Sequence, residues 1–238
     1  MNKIFLKLIC ILILSSGLHF NKVFSQVSSQ EIDAIVQSAI DNFTVAGVAV
    51  SVVKDGKIIH QKGYGIKSID SKAKVNEHTN FGIASNSKAF TTAALAMLVE
   101  EGKLSWRDRV IDHIPEFKMY NDYVTQNFNI QDLLTHRSGL GLGIGDLMFF
   151  PDGSDFTIND IITSFQYFKP QSAFRTKFDY DNLLYMVAGE VVNRVSGMSW
   201  EQFIKERIFE PLDMDNSFAS ITYIDDKSNV ASPHLNND

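Results

Sequence analysis

Apolar positions along the chain follow two different periods. After Ser28-x-x-Glu31, a capping box in which each side chain can bond the other's backbone N–H, apolar residues recur at Ile32, Ile35, Val36, Ala39, Ile40 and Phe43. This spacing predicts an amphipathic helix. From Val45 to Val53 the pattern is β-branched and nearly continuous, Lys54-Asp-Gly-Lys57 carries a two-residue hairpin signal, and Ile58 to Tyr64 is extended again. A helix followed by a hairpin predicts an α+β or mixed layer. Ala84 to Glu101, rich in Ala, Leu and Met and ending at Gly102, predicts a buried helix. Asn182 to Val195 repeats that pattern, with Leu183, Leu184, Val187, Val191 and Val195 apolar and Gly197 as its stop. Ser199-x-x-Gln202 opens a third helix, ended by Pro211. Residues 139 to 180 combine a Gly-rich stretch with Phe149, Phe150, Phe156, Phe165, Phe168, Phe174 and Phe178. They either line a pocket or bury a small core of their own. With no internal repeat or low-complexity linker, a single structural unit is the simplest division.

The first 25 residues stand apart. Lys3 and Lys7 precede the apolar run Leu8 to Leu14, and Val23-Phe-Ser25 offers small or compact residues for cleavage before Gln26. This is the pattern of a secretory signal peptide over residues 1–25, and its apolar run is too short to cross a bilayer, so no stable membrane anchor is expected. Cys10, the chain's one cysteine, lies inside it. The mature chain, exported to the periplasm or the extracellular space, then relies on its core rather than on disulfides. Losing Lys3, Lys7 and Lys22 with no acidic residue moves the formal charge from −6 to −9. With no dense Lys or Arg run, this excludes nucleic acid as an expected partner.

Ser-x-x-Lys can place a hydroxyl and an amine on one helical face. The tetrapeptide occurs at Ser51, Ser71 and Ser85. In a strand, positions i and i+3 point to opposite faces, which removes Ser51, and Ser71 lies in a polar turn. Ser85 alone begins a long apolar helix, where free N–H groups favour developing negative charge. Lys88, one turn on, could act as a base if desolvation or a second cation lowers its pKa. The competing reading is an N-capping serine followed by a solvated lysine. A Gly-x-Ser-x-Gly elbow and a His-Glu-x-x-His zinc motif are both absent, which argues against α/β-hydrolase and zinc chemistry, and neither a metal nor a cofactor is expected. The run Gly139-x-Gly-x-Gly-x-Gly145 lacks the setting of a nucleotide loop and reads as backbone bends.

Phe81-Gly-Ile-Ala-Ser85-Asn-Ser-Lys88-Ala-Phe-Thr91 resembles the nucleophile segment of the serine β-lactamase and penicillin-binding protein superfamily, in particular the class C β-lactamase-like serine hydrolases. Three further stretches agree in order: Val48 to Gly65, Asp132-Leu-Leu-Thr-His-Arg-Ser-Gly-Leu140, and Phe178-Asp-Tyr-Asp-Asn182 through Met214. The resemblance covers most of residues 30 to 220. It implies an α+β fold with a β-lactamase-like antiparallel sheet flanked by helices and an inserted, mostly helical region. It also implies that Ser85 is acylated, that Lys88 helps withdraw its proton, and that Tyr180 acts as acid and base toward the leaving group and the deacylating water. Asn182 would bind the substrate's acyl amide and steady Lys88. Tyr180-Asp-Asn182 is the chain's one Tyr-x-Asn; without the resemblance it reads as a buried tyrosine before a helix-capping asparagine. His136, a conceivable triad base, falls on a position that is structural in the resembling family.

The family's third motif, Lys or His followed by Ser or Thr and Gly, does not occur in these 238 residues. Residues 26–238 are therefore expected to be a partial domain whose fold is incomplete at the C-terminus. The expected function is an exported serine hydrolase forming an acyl-enzyme on an amide or ester of a small-molecule or peptide substrate, such as a β-lactam, a D-alanyl peptide or a small ester. The alternatives are a non-catalytic penicillin- or peptidoglycan-recognition module, or an inactive fragment of such an enzyme. Neither the substrate nor the oligomeric state follows from the sequence.

Overall fold

The computed structural model of the protein describes residues 27–150 and 155–234, so the expected signal peptide and Cys10 lie outside the described residues. The chain divides into two compact units, one ending at Thr79 and taking in the stretch from Ser232, the other running from Asn80 to Ala231.

In the first unit the capping box forms, with Glu31 N–H donating to Ser28 Oγ at 3.2 Å and Ser28 N–H to Glu31 Oε2 at 2.7 Å. Helix α1 (Ser29–Phe43) follows. It buries Ile32 and Val36, an i, i+4 pair, while Ile35 and Phe43 face outward. Strands β1 (Gly47–Lys54) and β2 (Lys57–Gly65) pair antiparallel, with a bulge between Val52 and Val53. Asp55 and Gly56 turn the hairpin at φ 51° and 73°, both positive as a type I′ turn requires. A polar chain ties α1 to β2. Ser29 Oγ and His60 Nδ1 are 2.8 Å apart, His60 Nε2 and the Tyr64 hydroxyl 2.7 Å, and Asp33 accepts from both Tyr64 and Lys62. The buried His60 ring thus has a partner on each nitrogen.

The second unit is helical. A 3₁₀ turn over Ala84–Asn86 leads into α2 (Ser87–Glu100). The short helices α3 (Val110–His113), α4 (Asp122–Asn127), α5 (Ile130–Leu134) and α6 (Ile158–Ser164) follow. Then come α7 (Leu183–Ser196) and α8 (Trp200–Ile204). Gly197 ends α7 at φ 75°, and Ser199 caps α8 by accepting from Gln202 N–H. After α8 the helical run continues as a π-helical stretch over Lys205–Phe209 and a 3₁₀ turn over Glu210–Leu212, where Pro211 lies and the run ends.

The core lies where α2 meets α7: Leu95 and Leu98 on one side, Leu184, Val187 and Val191 on the other, all fully buried. Helix α2 is not buried all round, because Ala89, Ala93 and Ala96 form an exposed face. Alanine hides this from a reading of periodicity, since it suits a helix on either side. The aromatic stretch 139–180 does not enclose a separate core. Phe165 sits 5.6 Å, ring to ring, from Phe117, and Phe168 and Phe174 pack on the same cluster. Asp132 on α5, fully buried, accepts from Asn129 N–H at 3.0 Å and from Arg175 Nε and Nη2 at 2.9 and 2.5 Å, pinning the far end of that stretch to the core.

Candidate active site

Ser85 owes its position to a strained backbone. Ala84 holds φ at 45°, a left-handed conformation costly for a residue with a Cβ, and the 3₁₀ turn presents Ser85 as an exposed residue just before α2. Lys88, one turn on, is half-buried, and its Nζ donates to Ser85 Oγ at 3.1 Å and to Asn182 Oδ1 at 2.8 Å. The Tyr180 hydroxyl donates to Ser85 Oγ at 2.7 Å. The structure thus brings Ser85 and Tyr180, 95 positions apart, together with Lys88 and Asn182. The other two Ser-x-x-Lys serines lie in β1 and in a turn.

Tyr180 is delivered by a segment zipped onto the loop after α5. Gly139 O accepts Gln171 N–H at 2.7 Å, Arg137 O accepts Arg175 N–H at 2.7 Å, and His136 O accepts Asp179 N–H at 2.7 Å. Gly139 has φ +88°, and a Cβ there would lie 2.5 Å from the Ser172 carbonyl oxygen, so this approach requires glycine. His136 belongs to the same zipper. Its ring stacks on Tyr180 at 4.3 Å between centroids and its Nδ1 accepts the Asp181 N–H at 3.2 Å. Burial, then the charge of Lys88, push the imidazole pKa down, so His136 stays neutral and supports the phenol sterically.

The capping role that the competing reading gives Asn182 falls to its neighbour. Asp181 Oδ1 accepts the Leu184 N–H at 3.1 Å, whereas the Asn182 side chain makes no capping bond and is free to turn toward Lys88. Lys88 Nζ also lies 4.9 Å and 5.3 Å from the ring centroids of Tyr180 and Tyr185, within reach of both faces. Tyr180 answers to opposing influences. Burial raises its pKa, but hydrogen bonds from Lys88 and to Ser85 and the charge of Lys88 outweigh burial and Asp146, leaving the phenol easier to ionise than in water.

Two features escape any reading of motifs. Asp146, in the 3₁₀ turn Asp146–Met148, accepts from the Asn182 amide nitrogen at 3.3 and 3.2 Å. Its one sequence signal is its place at the end of the glycine run, where Gly143 and Gly145 do adopt positive φ. A cavity of about 740 Å³ opens at Ser85 and Lys88 and runs between α2 and α7, past Met186 and Gly189, to Trp200. Trp200 is fixed there by donating to Thr91 Oγ1 at 3.1 Å.

Residues 32–238 match the profile of the beta-lactamase family. The chain belongs to the beta-lactamase family. Among proteins it is similar to, Protein flp of Staphylococcus aureus (strain MW2) is 30% identical over 190 residues, which are 80% of this chain and 38% of flp. Unguisins hydrolase ungD' of Aspergillus campestris is 30% identical over 202 residues, covering 81% of this chain and 36% of that protein. The chain thus spans well under half the length of these relatives. Among solved structures, the octameric penicillin-binding protein homologue from Pyrococcus abyssi matches with a TM-score of 0.69 and 27% identity, covering 86% of this chain and 47% of that one. A class C beta-lactamase matches with a TM-score of 0.73 and 23% identity, over 90% of this chain and 56% of that one. This beta-lactamase family member therefore has the β-lactamase-like α+β fold, with helices and a small antiparallel sheet.

Proposed function

We propose that this protein is an exported serine hydrolase that forms an acyl-enzyme at Ser85 on an amide or ester substrate. The observation that carries the reading is the convergence of Lys88 Nζ and the Tyr180 hydroxyl on one serine oxygen, at 3.1 and 2.7 Å. A serine hydroxyl is a weak nucleophile until a neighbour takes its proton. In its ionised form the eased phenol of Tyr180 accepts that proton as Ser85 Oγ attacks the carbonyl carbon, while the Lys88 ammonium keeps the phenolate stable between turnovers. The Ser85 N–H, in the first turn of the helical segment, is the donor this reading assigns to the charge developing on the carbonyl oxygen. Collapse of the tetrahedral adduct breaks the bond to the leaving group, which leaves with the proton held by Tyr180. Water then loses a proton to Tyr180 and attacks the acyl carbon, and that proton returns to Ser85 Oγ as the acid departs. Asn182 holds Lys88 through its Oδ1 and offers its amide to the substrate.

The test is covalent labelling of the mature chain with a fluorescent penicillin and a fluorophosphonate, followed by mass mapping of the adduct, together with turnover of nitrocefin, a D-Ala-D-Ala peptide and p-nitrophenyl acetate. Adduct on Ser85 with turnover of at least one substrate is expected. An unmodified Ser85 refutes the assignment, and stoichiometric penicillin labelling without any turnover identifies a recognition module instead.

The cavity supports a place for an apolar group of the substrate. Gly189 lines the cavity, and an added Cβ there would meet Trp200 Cδ1 at 3.5 Å, an ordinary contact, so a larger side chain would take up room at the cavity wall beside Trp200. Gly189→Leu is expected to raise KM for bulky aryl or long-chain p-nitrophenyl esters by about 10-fold or more while leaving p-nitrophenyl acetate within about 2-fold. A uniform effect on both substrates would place the apolar group elsewhere.

A further inference from the structure

We propose that Asp146 is a positioning residue, one that orients the Asn182 amide so that its oxygen faces Lys88 and Lys88 stays on Ser85 Oγ. The inference rests on the Ser85 reading above and adds a residue to it.

An asparagine amide is nearly symmetric in shape but opposite in chemistry at its two ends. Here its oxygen accepts from the Lys88 ammonium at 2.8 Å while its nitrogen donates to both Asp146 oxygens at 3.3 and 3.2 Å. Turning the amide by half a rotation would set its N–H groups against an ammonium and its oxygen against a carboxylate, two repulsions replacing two charge-assisted bonds. Asp146 and Lys88 together therefore select one orientation. Without Asp146 the amide nitrogen has no anionic anchor, and Lys88 loses the fixed end of its tether.

The delivery of Asp146 is built into the fold. Gly145, at φ +74°, lies so close to the start of α7 that an added Cβ would stand 2.2 Å from Leu183 Cδ1 and 2.9 Å from Phe168 Cζ. Glycine lets the turn press against α7 at the residue next to Asn182. The Asp146 backbone is held independently, its N–H donating to Gly143 O at 3.3 Å and its carbonyl accepting from Phe149 and Phe150 N–H. A side-chain substitution therefore leaves the turn in place.

Asp146 also acts through space on the base. Tyr180 faces Lys88 and Ser85 on one side and the neutral His136 ring on another. The negative charge of Asp146 opposes ionisation of the phenol, whereas the Lys88 that Asp146 helps hold in place favours it.

The experiment compares Asp146→Ala, Asp146→Asn and Asp146→Glu with the wild type in fluorophosphonate acylation of Ser85 across pH, separating maximal rate from reagent affinity. The side-chain amide of Asn182 is followed by NMR in the same proteins. Asp146→Ala is expected to lower the maximal acylation rate about 10- to 100-fold with little change in affinity. Asp146→Glu restores most of the rate, and Asp146→Asn, which keeps an acceptor but not the charge, falls between the two. In the wild type the Asn182 amide protons show NOEs to the Asp146 turn alone, and in Asp146→Ala they also show NOEs to the Lys88 Hε protons, because the amide then samples both orientations. A wild-type maximal rate in Asp146→Ala, or a loss confined to affinity, overturns the proposal. If the wild type never labels, the Ser85 reading fails, and the amide NOEs still decide the positioning claim: new contacts to Lys88 in Asp146→Ala uphold it and an unchanged pattern overturns it.

Discussion

Replacing Lys88 with Met slows acylation of Ser85 by about 10²–10⁴-fold, and replacing Ser85 with Ala abolishes the adduct. Methionine keeps the length and most of the apolar stem of lysine but removes the donor that meets Ser85 Oγ at 3.1 Å and Asn182 Oδ1 at 2.8 Å. It also removes the positive charge that, with the hydrogen bonds of Tyr180, holds the phenol below its usual range. The phenol pKa then rises under the burial that remains, so less of Tyr180 is ionised at neutral pH. Residues that act as a unit are strongly non-additive. A Lys88→Met, Tyr180→Phe double variant is thus expected to be about as slow as the worse single variant rather than the product of the two. Stopped-flow acylation with a fluorophosphonate measures this. Acylation of Lys88→Met within about 3-fold of wild type would remove Lys88 from the reaction.

Asp181→Asn flattens the pH dependence of stability. Asp181 is 2% exposed, one oxygen caps α7 and the other has no hydrogen-bond partner. Burial, the largest influence, and the nearby Asp146 charge lift its pKa from 3.8 to about 7, against the opposing Leu184 and Leu183 N–H groups and Lys88. The sign follows from linkage. Between pH 4 and 7 the unfolded carboxyl has lost its proton while the folded one keeps it, so each unit of rising pH costs the folded state about 1.4 kcal/mol. Above pH 7 both forms are ionised and the cost levels off at about 4 kcal/mol. Asparagine preserves the acceptor for Leu184 N–H and does not ionise. Denaturant unfolding at pH 4.5 and pH 8 should show Asp181→Asn gaining about 3 kcal/mol on the wild type between the two. The constant cost of its buried amide N–H groups cancels in that difference. Parallel curves for the two proteins would show that Asp181 ionises freely in the fold.

What was legible in the sequence was local. The Ser28 and Glu31 capping box, the Asp55-Gly56 turn and the stop at Gly197 each depend on contacts a few residues apart, so their chemistry is written in consecutive letters. Helix α2 was legible as a helix but not as one with an exposed alanine face, because burial depends on what packs against it. Ser85 and Lys88 could be paired from helical spacing, whereas Tyr180 and Asn182 were reached only through resemblance, since nothing in their own spacing joins them to residues more than 90 positions away.

The sequence by itself determined the helices that carry Lys88 and follow Asn182, because helix periodicity, caps and turns are short-range. Only the tertiary structure decided which carboxylates matter and how. Asp146 and Asp181 look alike in the chain, one following a glycine run and one inside a motif. Folding leaves the first half-buried against the Asn182 amide and takes the second out of water with one oxygen unpaired. Ionisation depends on burial and on charges brought close through space, and neither exists until the chain has folded.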